Sequence, residues 1–82
     1  MLKGIVIGNV VSTRKQDALV GSKFLEIQLI ENNQMTDKFI IAVDSVGAGI
    51  GETVLITTGS SARLALSNTS SPVDAVIVGI VD

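Results

Sequence analysis

The chain has 82 residues and a net charge of −2, enough for one domain near the size at which a single core only just suffices. It has no histidine and no cysteine, which removes the usual general base, the commonest metal ligand, every Ser-His or Cys-His nucleophile pair and any thiolate zinc site. Six basic residues and two aromatic ones, Phe24 and Phe39, supply neither the basic patch of a nucleic-acid footprint nor a platform for stacking bases.

The first twelve residues after the initiator, LKGIVIGNVVST (2–13), are β-branched and broken by Gly4 and Gly8, the pattern of a strand bent at its glycines. Residues 14–21, RKQDALVG, follow as a polar loop. From Lys23 to Glu31 the chain alternates, with Leu25, Ile27 and Leu29 on one face and Glu26 and Gln28 on the other, which predicts a half-buried strand. Asn32-Asn33-Gln34 is turn chemistry and predicts a hairpin into a third strand at 37–43. That strand, a fourth at 53–58 and a last one at 74–81 are apolar on both faces, so both faces should be covered. Between the last two lies SSARLAL, a short helix whose start is marked by serines and whose body is rich in Ala and Leu. The following segment, 67–72, reads as a loop with Pro72 just ahead of the final strand.

Five strands, one short helix and short connections predict a small closed barrel, all-β and similar to an OB-fold in size and strand count. A parallel α/β sheet would need crossover helices that the pattern does not contain. The helix is expected to plug one end of the barrel. Val, Ile and Leu number 28 of the 82 residues, more than so small an interior can hide. Apolar outer faces should therefore meet other copies of the chain, and identical head-to-tail contacts close into a ring. No run approaches the ~20 apolar residues of a membrane span, and residues 1–6 lack the pattern of a signal peptide. The expectation is a cytosolic single domain over residues 1–82, with no cofactor, no metal, no nucleic acid and no membrane partner.

Residues 42–63, AVDSVGAGIGETVLITTGSSAR, hold the features that invite a functional reading. Gly47, Gly49 and Gly51 alternate with Ala48 and Ile50, which suggests a phosphate-cradling loop. The spacing is G-x-G-x-G, the next residue is Glu52, and a strand rather than a helix follows, so a nucleotide fingerprint does not fit. A tight connection between barrel strands, lining an assembly axis, fits better. Ser60, Ser61 and Arg63 read either as an anion site at a helix start or as caps that set the helix, with Arg63 paired to a carboxylate. Asp44, Glu52 and Asp74 are the candidates for an acid–base pair. Carboxylates at strand ends are more often solvated or salt-bridged, and the chain is not read as an enzyme.

The ordered set Gly8-Asn9-Val10-Val11-Ser12-Thr13, Lys15, Leu19, Gly21, then 42–52 with Val54-Leu55, Gly59-Ser60-Ser61-Ala62-Arg63 and the final strand resembles the pentameric shell vertex proteins of bacterial microcompartments. The resemblance covers essentially the whole chain. It implies an OB-like barrel assembling as a cyclic pentamer that caps the fivefold corners of a polyhedral shell and docks against hexameric shell proteins, with no reaction of its own. Under it, the loop of Val46, Gly47, Ala48, Gly49, Ile50 and Gly51 is expected near the fivefold axis. Asp44 and Arg63 are expected to form an ion pair within or between subunits, so that Arg63→Ala weakens assembly. The competing reading is a ring-forming OB-type binding module in another assembly.

Overall fold

Alternation decides the architecture. In the computed structural model, which describes residues 1–66 and 72–82, the strands are β1 (Leu2–Val10), β2 (Phe24–Glu31), β3 (Gln34–Asp44), β4 (Thr53–Thr58) and β5 (Ala75–Ile80). One helix, α1 (Ser60–Ala65), lies between β4 and β5. The strands close into a barrel in the order β1-β2-β3-β5-β4, the arrangement of an OB-like barrel. All contacts are antiparallel except β3 with β5, which run parallel through Val43 opposite Val76 and Asp44 opposite Ile77.

The inward set is Val6, Leu25, Ile27, Leu29, Ala42, Val54, Ile56, Ala75 and Ile77, every one of them buried. A fully buried Leu, Ile or Val stabilises by about 1.5–3 kcal/mol, so these positions hold the barrel together. Gly4 also points inward. A Cβ there would sit 2.7 Å from the carbonyl oxygen of Gln28, so its place in β1 is a close approach of strands. The bend of β1 falls at Ile7, where the register with β2 slips between Val6 and Gly8.

The hairpin between β2 and β3 is tighter than the polar run suggests. Asn32 and Asn33 both take positive φ, at 52° and 60°, the paired left-handed turn whose twist matches that of the strands. Pairing therefore resumes at once with Glu31 opposite Gln34, and β3 begins three residues before its expected start at Asp37. The 14–21 loop contains a short 3₁₀ turn at Asp17–Leu19. The serine-rich loop read at 67–72 lies, apart from Pro72, outside the described residues.

One expectation is corrected. The helix does not plug the barrel. Its buried Ala62 packs with Val73 and with Val43 and Val76, the outward neighbours of Ala42, Ala75 and Ile77, and with Leu19, Phe24 and Leu66 at the edge of the cluster. It thus covers a second, smaller core on the outside of the β3–β5 seam. In the single protomer, Phe39 and Ile41 of β3 are 50% and 54% exposed, on the outer faces expected to meet other copies of the chain.

Candidate functional site

The segment between β3 and β4 closes one end of the barrel. Its centre is Ala48, which is 1% exposed and belongs to the interior cluster. A methyl group is the plug that the helix was expected to supply. Asp44 positions it. One carboxylate oxygen, Oδ1, accepts the amides of Val46 and Gly47, each at 3.1 Å, and Oδ2 accepts the amide of Ala48 at 3.0 Å. Aspartate commonly bonds the backbone a few residues on and so builds its own turn.

Lys23 ties the loop to β2. Its Nζ donates to the carbonyl of Ala48 at 3.1 Å and lies 3.7 Å from Asp44 Oδ2. The Asp44 side chain is 3% exposed whereas that of Lys23 is 53% exposed, so the lysine end of the pair is largely hydrated. On the far side of the loop, Glu52 Oε1 accepts the amide of Gly49, and the amide of Gly51 donates to the carbonyl of Val6 at 2.8 Å. Gly47 and Gly51 have φ of 80° and 91°, a region that L side chains rarely occupy. Ser45 Oγ donates to the carbonyl of Ile77 at 2.6 Å and pins the loop to β5 beyond the parallel pair. The large apolar side chains left outward are Val46 and Ile50, 41% and 64% exposed.

Asp44 and Arg63 do not meet within the protomer. Asp44 spends its oxygens on the loop, while Arg63 reaches the carbonyl of Val73 at 3.4 Å and braces α1 against the entry to β5. The serines of α1 are not its caps by side-chain bonding: Gly59 occupies the N-cap position at φ 70°, and no side chain caps the helix. Both serines are exposed. The amide of Gly59 donates to the carbonyl of Asp74 at 2.8 Å, which fixes the helix start against β5 by backbone alone.

The sequence reading missed Lys23, Ser45 and Glu52 as loop anchors. Asp44-Ser45-Val46-Gly47 carried a signal for the carboxylate's role, since an aspartate at a strand end followed by small residues and glycine is turn chemistry. The partners from β2 and β5 had no local signal. Among the described residues no cluster of His, Cys, Asp or Glu is arranged to hold a metal ion. Every buried side-chain nitrogen or oxygen among them has a hydrogen-bond partner. Asp44 and Glu52 spend carboxylate oxygens on backbone amides of the loop.

A loop tied from several sides, beside strands with apolar outer faces, is the build of an assembly part. The chain matches the family model described as Ethanolamine utilisation protein EutN/carboxysome over residues 1–82. The chain belongs to this family. It is 48% identical over 80 residues to the carboxysome shell vertex protein CcmL of Gloeobacter violaceus, spanning 96% of this chain and 80% of that protein. It is 45% identical over 83 residues to the bacterial microcompartment shell vertex protein GrpN of Rhodospirillum rubrum, spanning 100% of this chain and 93% of the relative. The solved structure of GrpN, a pentameric microcompartment shell protein, superposes at a TM-score of 0.90 with 43% identity, covering 100% of this chain and 94% of that one. That of Gloeobacter violaceus CcmL superposes at 0.94 with 46% identity, covering 100% and 86%.

Proposed function

We propose that this chain is a structural shell protein that assembles as a ring of five and caps the fivefold vertices of a bacterial microcompartment in the cytoplasm. The observation that carries the reading is the family match over all of residues 1–82, joined to a superposition on a pentameric shell protein that spans the whole chain. The physical requirement is geometric. A flat sheet of hexamers closes into a polyhedron only where fivefold points interrupt it, and a pentamer of small barrels supplies such a point.

The surface of the protomer agrees with this role. Exposed apolar side chains on β3 and β4, Phe39, Ile41 and Leu55, suit burial against other copies. Flat hexameric shell proteins are the partners that a vertex meets at its sides. The loop of residues 46–51 is placed by this reading at the fivefold axis, where small residues let five backbones converge. The role is architectural, with no substrate and no reaction.

The test is the solution mass of the purified chain, followed by co-expression with hexameric shell proteins. A species five times 8.5 kDa that persists on dilution, together with closed shells that form with the chain and gape at their corners without it, is the expected result. A monomer that leaves shells unsealed would overturn the reading.

A further inference from the structure

We propose that the cleft where β1 and β2 part binds small organic anions, with Lys15 and Lys23 holding the anionic group and Val10 and Phe24 receiving a short apolar part. This site is separate from the vertex role and does not depend on it.

The cleft follows from where strand pairing stops. Val10 opposite Phe24 is the last pair between β1 and β2. Beyond it β1 runs out into the 11–16 segment. The chain comes back to β2 through the 3₁₀ turn at Asp17–Leu19 and a further turn in which the amide of Ser22 donates to the carbonyl of Leu19 at 3.0 Å. The space between the two arms has a volume of about 320 Å³, at the lower end of the range for small-molecule sites.

One wall of the cleft is apolar and fixed. Residues directly opposite in an antiparallel pair put their side chains on the same face, so Val10 and Phe24 stand side by side in the lining. Phe24 also packs against the outer core of Val43, Ala62, Val73 and Val76, which holds its ring in place.

The polar part of the lining is rich in donors. Lys15 Nζ gives one bond to the carbonyl of Ser12 at 2.9 Å, and Lys23 Nζ gives one to the carbonyl of Ala48 at 3.1 Å. An ammonium group has three donors and no acceptor, so both lysines keep hydrogens to offer. Lys23 shares its charge with Asp44, whereas Lys15 makes no ion pair among the described residues. The Ser22 hydroxyl and the Asn9 amide also line the cleft, and among the described residues no Asp or Glu does. Residues 12–23 hold Arg14, Lys15 and Lys23 against Asp17 alone, a positive stretch in a chain of net charge −2.

These two halves select the ligand class. A cation meets two lysines, a neutral apolar molecule strips water from them without replacing it, and an inorganic anion leaves the Val10–Phe24 wall unused. A carboxylate or phosphate carried on a short hydrocarbon group engages both. Lysine suits such a group as a compact point charge. Because the lysines are exposed, the attraction is weak and falls with added salt.

Amide NMR spectra of the purified chain, titrated with phenyl phosphate, test this. Amides within 10–16 and 22–24 should shift together and saturate, with a Kd in the millimolar range that rises with salt. Inorganic phosphate and benzyl alcohol, each carrying half of the chemistry, should bind more weakly. Lys15→Ala should weaken phenyl phosphate binding about fivefold, the most that an exposed ion pair commonly carries, and Lys15→Arg should retain it. Lys3→Ala removes the same charge at the other end of β1 and should leave binding unchanged. Absence of a saturable shift would overturn the proposal, as it would if a neighbouring copy filled the cleft. So would either half-probe binding as tightly as phenyl phosphate, a Lys15→Ala chain binding like wild type, or Lys3→Ala weakening binding as much. None of these outcomes alters the mass of the ring, so the vertex reading stands or falls separately.

Discussion

The carboxylate of Asp44 holds the amide of Ala48 at 3.0 Å, and through that bond a surface loop delivers the methyl group that seals the barrel. Asp44→Ala removes the acceptor for three amides at once. Each such bond is worth about 0.5–1.5 kcal/mol net, and those to a charged acceptor are worth more. Part of the loss is recovered by water on the exposed side of the loop, so a cost of about 2–3 kcal/mol is expected for alanine. Asn, which keeps one acceptor oxygen, should cost about half of that. Urea unfolding at a fixed protomer concentration checks this, since ring formation makes stability concentration-dependent. The midpoint should fall with the slope unchanged.

Asp44 and Arg63 should show no energetic coupling. Asp44 is engaged by the loop and Lys23, while among the described residues Arg63 bonds the carbonyl of Val73 at 3.4 Å. A double-mutant cycle on Asp44→Ala and Arg63→Ala should therefore be additive to within about 0.5 kcal/mol. The same cycle read on ring dissociation tests the pair between subunits. A coupling above 1 kcal/mol there would mean that the arginine of one copy reaches the aspartate of the next.

The barrel was legible because its signals are local. Alternation in β2, the Asn-Asn turn, the apolar runs of β4 and β5 and the Ala-Leu helix each sit within a short window, and the structure keeps all of them within a few residues. What could not be read depends on pairing between distant segments. Nothing near Ala48 says that its methyl ends inside the barrel, because Lys23 and Val6 are brought to that loop only by closure of the sheet. The helix was misplaced for the same reason: its short apolar face fits a barrel end as well as an outer seam, and only the outward turn of Val43 and Val76 decides. Arg63 was assigned a carboxylate by charge alone, and within the protomer it reaches the carbonyl of Val73 instead.

Two glycines of β1 should respond oppositely to alanine. At Gly4 the new Cβ would press on the backbone carbonyl of Gln28, which cannot move without shifting β2. Overpacking of this kind costs about 1–3 kcal/mol, and backbone contact places Gly4→Ala at the upper end. At Gly8 nothing lies within 4 Å of the new atom. Gly8→Ala should be neutral or stabilising by about 0.4–1 kcal/mol through the unfolded chain. Thermal unfolding of the two variants side by side separates them.

The hairpin turn leaves room for improvement. Asn33 sits at φ 60°, where asparagine is tolerated and glycine is favoured, and Asn-Gly is the strongest pair for this turn. Asn33→Gly gives up the bond from Lys3 Nζ to Asn33 Oδ1, an exposed contact of 3.3 Å that adds little. The substitution should raise stability by a few tenths of a kcal/mol. Lower stability by more than about 0.5 kcal/mol would assign the Lys3 contact a weight that exposed bonds seldom carry.

The position of the 46–51 loop in the ring can be read with one label. The natural chain has no cysteine, so Ile50→Cys introduces a unique thiol at a side chain 64% exposed, on a loop held by Asp44, Glu52 and Val6. Labelled with pyrene, five such side chains gathered around an axis would stack and emit as excimer, whereas five at the outer rim would emit as isolated monomers. The expected outcome is strong excimer emission in the ring, lost when labelled protein is diluted with unlabelled chain and the rings are re-formed. A second label at Val20, an exposed side chain outside the loop, should give monomer emission throughout. Excimer at Val20 with none at Ile50 would turn the ring over and move the loop from the axis to the edge that meets the hexamers.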